Sequence, residues 1–292
     1  MPELPEVHTI AKELNKKVSG RAITDYWSDW PKSIKSSNTT KFKKELIGLR
    51  IKSVDRIGKN IVFHLSREKV LLIHQKMTGH LMVGRWSVKK RSNKWVVESE
   101  IRGVFQERVN QYIHNIFYLD NEGMIALSDM RKFGKLYLGS KKEVLGLPEI
   151  KNLGPDALNI TQEEFNKRIA KKKKAIKLTL MDPSVVAGIG NIYADEILWS
   201  ARVHPLRSSN SISNKELRKV FKYTKEILDK AIKLRGSSVG DYRDASGEKG
   251  SYSDHMLVYR LTGSPCKRCA TPIERAKAGQ RSAHFCPRCQ EL

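Results

Sequence analysis

Apolar residues fall in two rhythms along this chain, and the change between them divides it. Val7, Ile10, Ala11, Leu14 and Val18 recur at helical spacing and stop at Gly20, which predicts an amphipathic helix almost at the amino terminus. Short apolar runs follow at 61–65 and 70–74, around a polar turn, and at 116–119 and 124–127, around Asn121, Glu122 and Gly123. With 136–138 they read as antiparallel hairpins. Strands are expected to dominate from about 22 to 140, with one helix near 40–46, so the first part of the chain is sheet-rich.

Residues 146–155 carry two prolines and read as a linker. Beyond them Thr161 with Glu164, and Ser213 with Glu216, have capping-box spacing, and the second opens a helix carrying Leu217, Val220, Phe221, Ile227, Leu228 and Ala231. A Gly- and Ser-rich stretch at 236–253 predicts a mobile loop, and all four cysteines follow it. The expected organisation is a domain at 1–145, a linker at 146–157, a helical domain with its loop at 158–254 and a metal-bearing tail at 255–292.

Charge narrows the function. Over 292 residues, 55 Lys and Arg stand against 31 Asp and Glu, a formal net charge of +24, which makes a polyanion such as nucleic acid the first partner to test. A lysine-favouring genome is the plainer reading of the same number. With 39% hydrophobic residues, wholesale disorder is excluded. No apolar run is long enough for a membrane span, and the start resembles no signal peptide, so a soluble intracellular protein, nuclear or cytoplasmic, is expected.

Four constellations could carry chemistry. Cys266, Cys269, Cys286 and Cys289 form two C-x2-C pairs sixteen residues apart, the pattern of one closed, structural four-thiolate zinc site. Residues 183–196 place two glycines directly before a helix beginning at Asn191, a phosphate-binding arrangement that equally fits a tight interhelical turn. Seven basic residues between 167 and 177 fit phosphate contact or a solvated helix face. At the amino terminus, removal of Met1 would leave a secondary amine on Pro2. An α-amino group titrates near 8 against about 10.4 for lysine, so far more of it is neutral and nucleophilic at pH 7. It could form an iminium with a sugar C1′, with Glu3 and Glu6 beside it to move protons. Taken alone, Pro-Glu here is better read as a helix N1 proline followed by acidic first-turn residues.

The segments MPELPEV, RIGKN, HQKMTG, DMRKFG, GIGNIYADE and the cysteine tail CKRC…GQRSAHFCPRCQ occur in this order from Met1 to Gln290. In this the chain resembles the formamidopyrimidine-DNA glycosylase and endonuclease VIII family of base-excision-repair enzymes. The resemblance implies an α+β, two-domain fold: an N-terminal β-sandwich with flanking helices, then a helix–two-turn–helix domain with a zinc-binding β-hairpin. It implies a bifunctional glycosylase and abasic-site lyase, a monomer acting on damaged duplex or single-stranded DNA and removing oxidised pyrimidines or ring-opened or oxidised purines. Pro2 is then the nucleophile, Glu3 the proton-relaying carboxylate, and Lys59 a phosphate contact that aids elimination. Asn191 and Arg281 clamp the phosphates beside the extruded nucleotide, supported by Lys177. Met77, Arg131 and Phe133 fill the gap in the base stack, although Met77 and Phe133 without their motifs read as core.

Two features depart from the family pattern. Lys132 stands where a second arginine is usual, and 86–111 is longer than the bacterial enzymes require. The PELPEV start and a full-length loop at 236–252 lean toward purine lesions. The alternatives are a non-catalytic zinc-finger protein that senses damage, and a basic RNA-binding protein.

Overall fold

The computed structural model describes residues 2–92 and 94–292, so Met1, whose removal is invoked above, lies outside the described residues. The chain forms two compact units, Met1–Lys151 with Leu234–Ser251, and Asn152–Lys233 with Tyr252–Leu292.

The first unit opens with α1 (Leu4–Val18), whose Val7, Ile10, Leu14 and Val18 are fully buried as the spacing predicted. Next come β1 (Ile23–Ser28), α2 (Thr39–Leu46), β2 (Ile51–Ile57), β3 (Asn60–Leu65), β4 (Lys69–His74) and β5 (His80–Gly84). The hairpin of β6 (Trp86–Arg91) and β7 (Lys94–Ser99) is followed by β8 (Ile113–Leu119), β9 (Met124–Ser128), β10 (Lys135–Ser140), α3 (Lys141–Leu145) and α4 (Pro148–Lys151). Strands order as β1-β8-β9-β5 and β10-β4-β3-β2, two antiparallel four-stranded sheets. Period-two alternation sends Phe117, Ile125 and Leu127 from one sheet and Ile61, Phe63, Leu71 and Ile73 from the other into a single core, closed by α1 and α2. The outer face of the first sheet is apolar as well: Met82, Ile116 and Ala126 meet Trp86 and Phe105.

Residues 234–251 return to this unit as a packed strap, where composition alone predicted a mobile loop. Its charged residues find partners distant in sequence. Arg243, 5% exposed, reaches Glu107 at 2.7 Å; Asp244, fully buried, pairs with Arg235; and the Ala245 N–H donates to Glu13 at 3.0 Å. Gly250 is required by close approach, since a Cβ there would lie 2.3 Å from the Gly236 carbonyl oxygen.

The second unit comprises α5 (Gln162–Ala170), α6 (Ile176–Leu180), α7 (Asn191–Ala201), α8 (Asn214–Lys233) and the hairpin β11 (Glu274–Ala278) with β12 (Arg281–Phe285). The Ser213–Glu216 capping box forms in both directions and opens α8. At Thr161 the hydroxyl accepts the Glu164 N–H, but the Glu164 side chain turns to Arg168, so only half the expected box is present. Helix α7 is apolar nearly all round and buried from Tyr193 to Ala201, which makes it the axis of this unit. Among the described residues no helix is long and apolar enough to cross a membrane.

Candidate active site and metal centre

In the first unit Pro2 is buried, and Glu3, 3% exposed, is the N-cap of α1. The Glu3 carboxylate accepts the Glu6 N–H, while Glu6 Oε2 accepts the Glu3 N–H at 2.8 Å. The second oxygen of Glu6 accepts the Ser237 N–H of the strap at 2.7 Å. Gly236, at φ +82°, fits here because a Cβ would approach Glu6 Oε1 to 2.8 Å. The chain start is thus held on both sides of one buried carboxylate. The three-residue spacing of Glu3 and Glu6 signals the cap; the bond to Ser237, 231 residues away, has no local signal.

Two loops of the same unit carry Met77, Arg131 and Phe133. Thr78 Oγ donates to Asp129 Oδ1 at 2.5 Å and accepts the Arg131 N–H at 3.1 Å, while Asp129 Oδ2 accepts the Gly134 N–H at 2.7 Å. This buried clasp fixes both loops and leaves their tips outside: Met77 is 38% exposed and Phe133 49%. Core packing, the bland reading of those side chains, therefore does not describe them. The Arg131 guanidinium carbon lies over the Phe133 ring, 4.6 Å from its centroid, a cation–π contact at the loop tip. Lys59 is half-buried in the turn between β2 and β3. His74 is half-buried at the end of β4, its Nδ1 accepts the Lys76 N–H at 3.0 Å, and burial, with Lys76 and Lys59 nearby, pushes its imidazole down to about 3. It is a neutral structural acceptor at ordinary pH.

In the second unit Asn191 is the first residue of α7, with Gly190 as N-cap, and its buried Oδ1 has no hydrogen-bond partner. Arg281 is exposed at the tip of the β11–β12 hairpin. Lys177 is fully buried, and its ammonium meets Asp195 Oδ1 at 2.6 Å and the Ser282 carbonyl. Asp195 also holds β12, through the N–H and ring Nδ1 of His284 at 3.0 and 2.9 Å. One carboxylate on α7 thereby ties the helix that begins at Asn191 to the strand that begins at Arg281. Its neighbour Glu196 accepts the N–H groups of Leu257, Val258 and Tyr259. Nothing in the sequence marks Asp195 and His284 as partners, for they are 89 residues apart.

The same helix ends against the cysteine tail. Trp199 packs with Cys266, Ile273 and Cys286, and the Arg268 guanidinium lies 3.7 Å from its ring. The four Sγ atoms lie within 4.8 Å of one another, and Cys269 is 3.5 Å from both Cys286 and Cys289. Thiolates at about 2.3 Å from a tetrahedral zinc stand roughly 3.8 Å apart, whereas disulfide sulfurs stand at about 2.05 Å. The donor set fits one closed zinc site.

Family models match the chain in three segments: the formamidopyrimidine-DNA glycosylase N-terminal domain at 1–136, the H2TH domain of the same enzymes at 153–243, and a zinc finger found in FPG and IleRS at 263–292. The chain is 37% identical to formamidopyrimidine-DNA glycosylase of Herpetosiphon aurantiacus, over 99% of this chain and 100% of that one. It is also 37% identical to the enzyme of Listeria innocua, over 100% of both. Among solved structures it matches Lactococcus lactis Fpg in complex with abasic-site DNA, with TM-score 0.85 and 32% identity over 99% of this chain and 100% of that one. A complex of the same bacterial protein with Fapy-dG-containing DNA gives TM-score 0.84 and 31% identity, with the same coverage.

Proposed function

The chain belongs to the formamidopyrimidine-DNA glycosylase family, and from that premise we propose how its residues remove a damaged base and cut the strand. It is a DNA glycosylase with abasic-site lyase activity, and its four cysteines hold one structural zinc. The substrate in this reading is damaged duplex DNA, bound by a monomer. Ring-opened purines head the order of lesions, because the solved relatives bind Fapy-dG and abasic sites.

Once Met1 is removed, the Pro2 amine attacks C1′ of an extruded nucleotide. Extrusion is needed because a stacked base hides C1′. The C1′–N bond breaks and the base leaves with a proton; Glu3 relays protons to the base or to the ribose ring oxygen, and protonation of that oxygen opens the C1′–O4′ bond to give the iminium. The resulting iminium draws electrons from C2′, so that proton is lost and the C3′–O bond breaks; a second elimination breaks the C5′–O bond. Lys59 holds phosphate beside the lesion. Met77, Arg131 and Phe133 enter the vacated stack and offset part of the few kcal/mol that unstacking costs. Asn191 and Arg281 grip the flanking phosphates, and Lys177, being buried, acts by supporting them through Asp195. Cys266, Cys269, Cys286 and Cys289 would hold the zinc, which when bound would stabilise the fold of the tail, and four cysteine ligands leave no position for substrate.

The observation that carries this assignment is the reciprocal cap that seats Glu3 next to Pro2 at the buried start of α1. Borohydride trapping on an abasic-site oligonucleotide tests it. A reduced adduct mapping to Pro2 and absent from Pro2→Gly is the expected result, and trapping at a lysine would remove Pro2 from the role.

A further inference from the structure

The β6–β7 hairpin belongs to none of the machinery described so far. It is a two-stranded sheet of its own, anchored by one face. Trp86 packs edge-on to Phe105 at 5.6 Å, Val88 and Val97 lie on the outer apolar cluster, and Trp95 meets Trp27 of β1 edge-on at 5.7 Å. Alternation then puts Lys89, Arg91 and Lys94 together on the opposite, solvent face, with Arg91 directly across from Lys94. Like charges in register cost stability. A single carboxylate, Glu98, stands 3.9 Å from both Lys89 and Arg91. From 85 to 102 the chain carries six basic residues and two acidic ones.

Its position is also informative. Trp30 lies three residues after Trp27, at most about 11 Å along the backbone. The Trp30 ring holds the ammonium groups of Lys132 at 4.7 Å and Lys32 at 5.5 Å. Lys132 sits between Arg131 and Phe133, the residues that enter the stack. Lys132 on Trp30 and, three residues away along the chain, Trp27 on Trp95 therefore place the hairpin's anchor close along the backbone to a cation–indole pair of the lesion loop.

We propose that the β6–β7 hairpin is a second DNA contact, in which Lys89, Arg91 and Lys94 hold backbone phosphates of the duplex flanking the lesion. This rests on the reading of the chain as a DNA-acting enzyme. Each phosphate neutralised releases counterions and steepens the fall of affinity with salt by about 0.9 in the logarithmic slope.

The test is fluorescence anisotropy with the zinc-loaded full chain on a duplex several helical turns long, carrying an abasic-site analogue, across a salt series. The triple variant Lys89→Gln, Arg91→Gln, Lys94→Gln is expected to flatten the slope by about two to three. The charge-keeping variant Lys89→Arg, Arg91→Lys, Lys94→Arg is expected to retain it. An unchanged slope in the glutamine variant overturns the proposal and leaves the hairpin a charged edge that deters strand pairing. An equal loss in the charge-keeping variant overturns it too. Trapping by the wild-type chain separates the two readings: no adduct sinks the enzyme, while an adduct with an unchanged slope sinks the hairpin alone.

Discussion

Asp195 joins Lys177 to His284, one carboxylate oxygen taking the ammonium at 2.6 Å and the other the His284 ring nitrogen at 2.9 Å, with Lys177 and Asp195 both fully buried. Asp195→Asn would leave the ammonium without its counter-charge. Breaking one half of such a pair costs about 3–5 kcal/mol, whereas replacing both halves by apolar residues is far milder. Urea unfolding should show the single variant much weaker than the Lys177→Met, Asp195→Asn double variant, which removes the buried charge while keeping an amide oxygen for the His284 N–H. If the double variant is as unstable as the single, burial of the charge is not what costs. DNA affinity should fall in both, since the common tie of Asn191 and Arg281 is weakened.

Glu6 and Glu3 should separate stability from chemistry. Both Glu6 oxygens accept backbone N–H groups, from Glu3 and Ser237. Glu6→Gln turns one acceptor into a donor facing a donor, at a cost of about 1–3 kcal/mol. Thermal melting should register that loss, with excision falling alongside it. Glu3→Gln keeps one carbonyl oxygen for the cap, so it should melt near wild type yet release no base while retaining some strand cleavage on an abasic site. Normal base release by Glu3→Gln would end its proton-relay role.

Zinc removal should be visible from inside the second unit. Trp199 packs on Cys266 and Cys286, so chelation that unfolds the knuckles exposes its indole. A red shift in tryptophan emission, absent from Trp199→Phe, is expected together with one zinc per chain by elemental analysis. Emission unmoved by chelation would mean that the cluster holds without the metal. Cys266→Ser should weaken both tail folding and DNA binding.

Acid should destabilise the protein through two named groups. His74 has its folded pKa pushed to about 3, below the ordinary value near 6.5, so the unfolded chain binds the extra proton first. Stability from this group is intact above pH 6.5 and declines from there toward pH 3. Burial alone would raise Glu216, but bonds from Arg207 and Ser213 hold it at about 2, so its contribution is lost between about pH 4.5 and 2. Melting points between pH 7 and 5 should therefore fall with acid and fall less in His74→Asn, whose amide oxygen can replace Nδ1 as acceptor. Parallel pH profiles would refute the assignment.

Local pattern made much of this fold legible. Helix α1, the β3–β4 and β8–β9 hairpins and the start of α7 at Asn191 each follow from spacing within a few residues, where periodicity and caps act. The zinc cluster was legible for the same reason: each C-x2-C pair is a local geometry. What the pattern missed are long-range polar ties. Arg243 with Glu107, Asp195 with His284 and Glu6 with Ser237 look like ordinary solvated charge until the fold brings them together. The strap was misjudged on that account, its glycines announcing freedom while its charged residues remove it. Exposure of Met77 and Phe133 was beyond reach of hydrophobic pattern, which points such residues to a core; the motifs around them implied the opposite, and the Thr78–Asp129 clasp holds the loops whose tips they occupy.

The 231 residues separating Glu6 from Ser237 set a clock on synthesis. At roughly 5–20 residues per second, a ribosome takes about 12 to 46 s to deliver the strap after the amino terminus has emerged. Well before that interval ends every strand of the sandwich, the last ending at Ser140, has been made and can pair, but the seat of Pro2 and Glu3 lacks its far wall. On the proposed mechanism the nascent chain carries Pro2 early and completes the pocket around it late, so reactivity waits until Ser237 has been made.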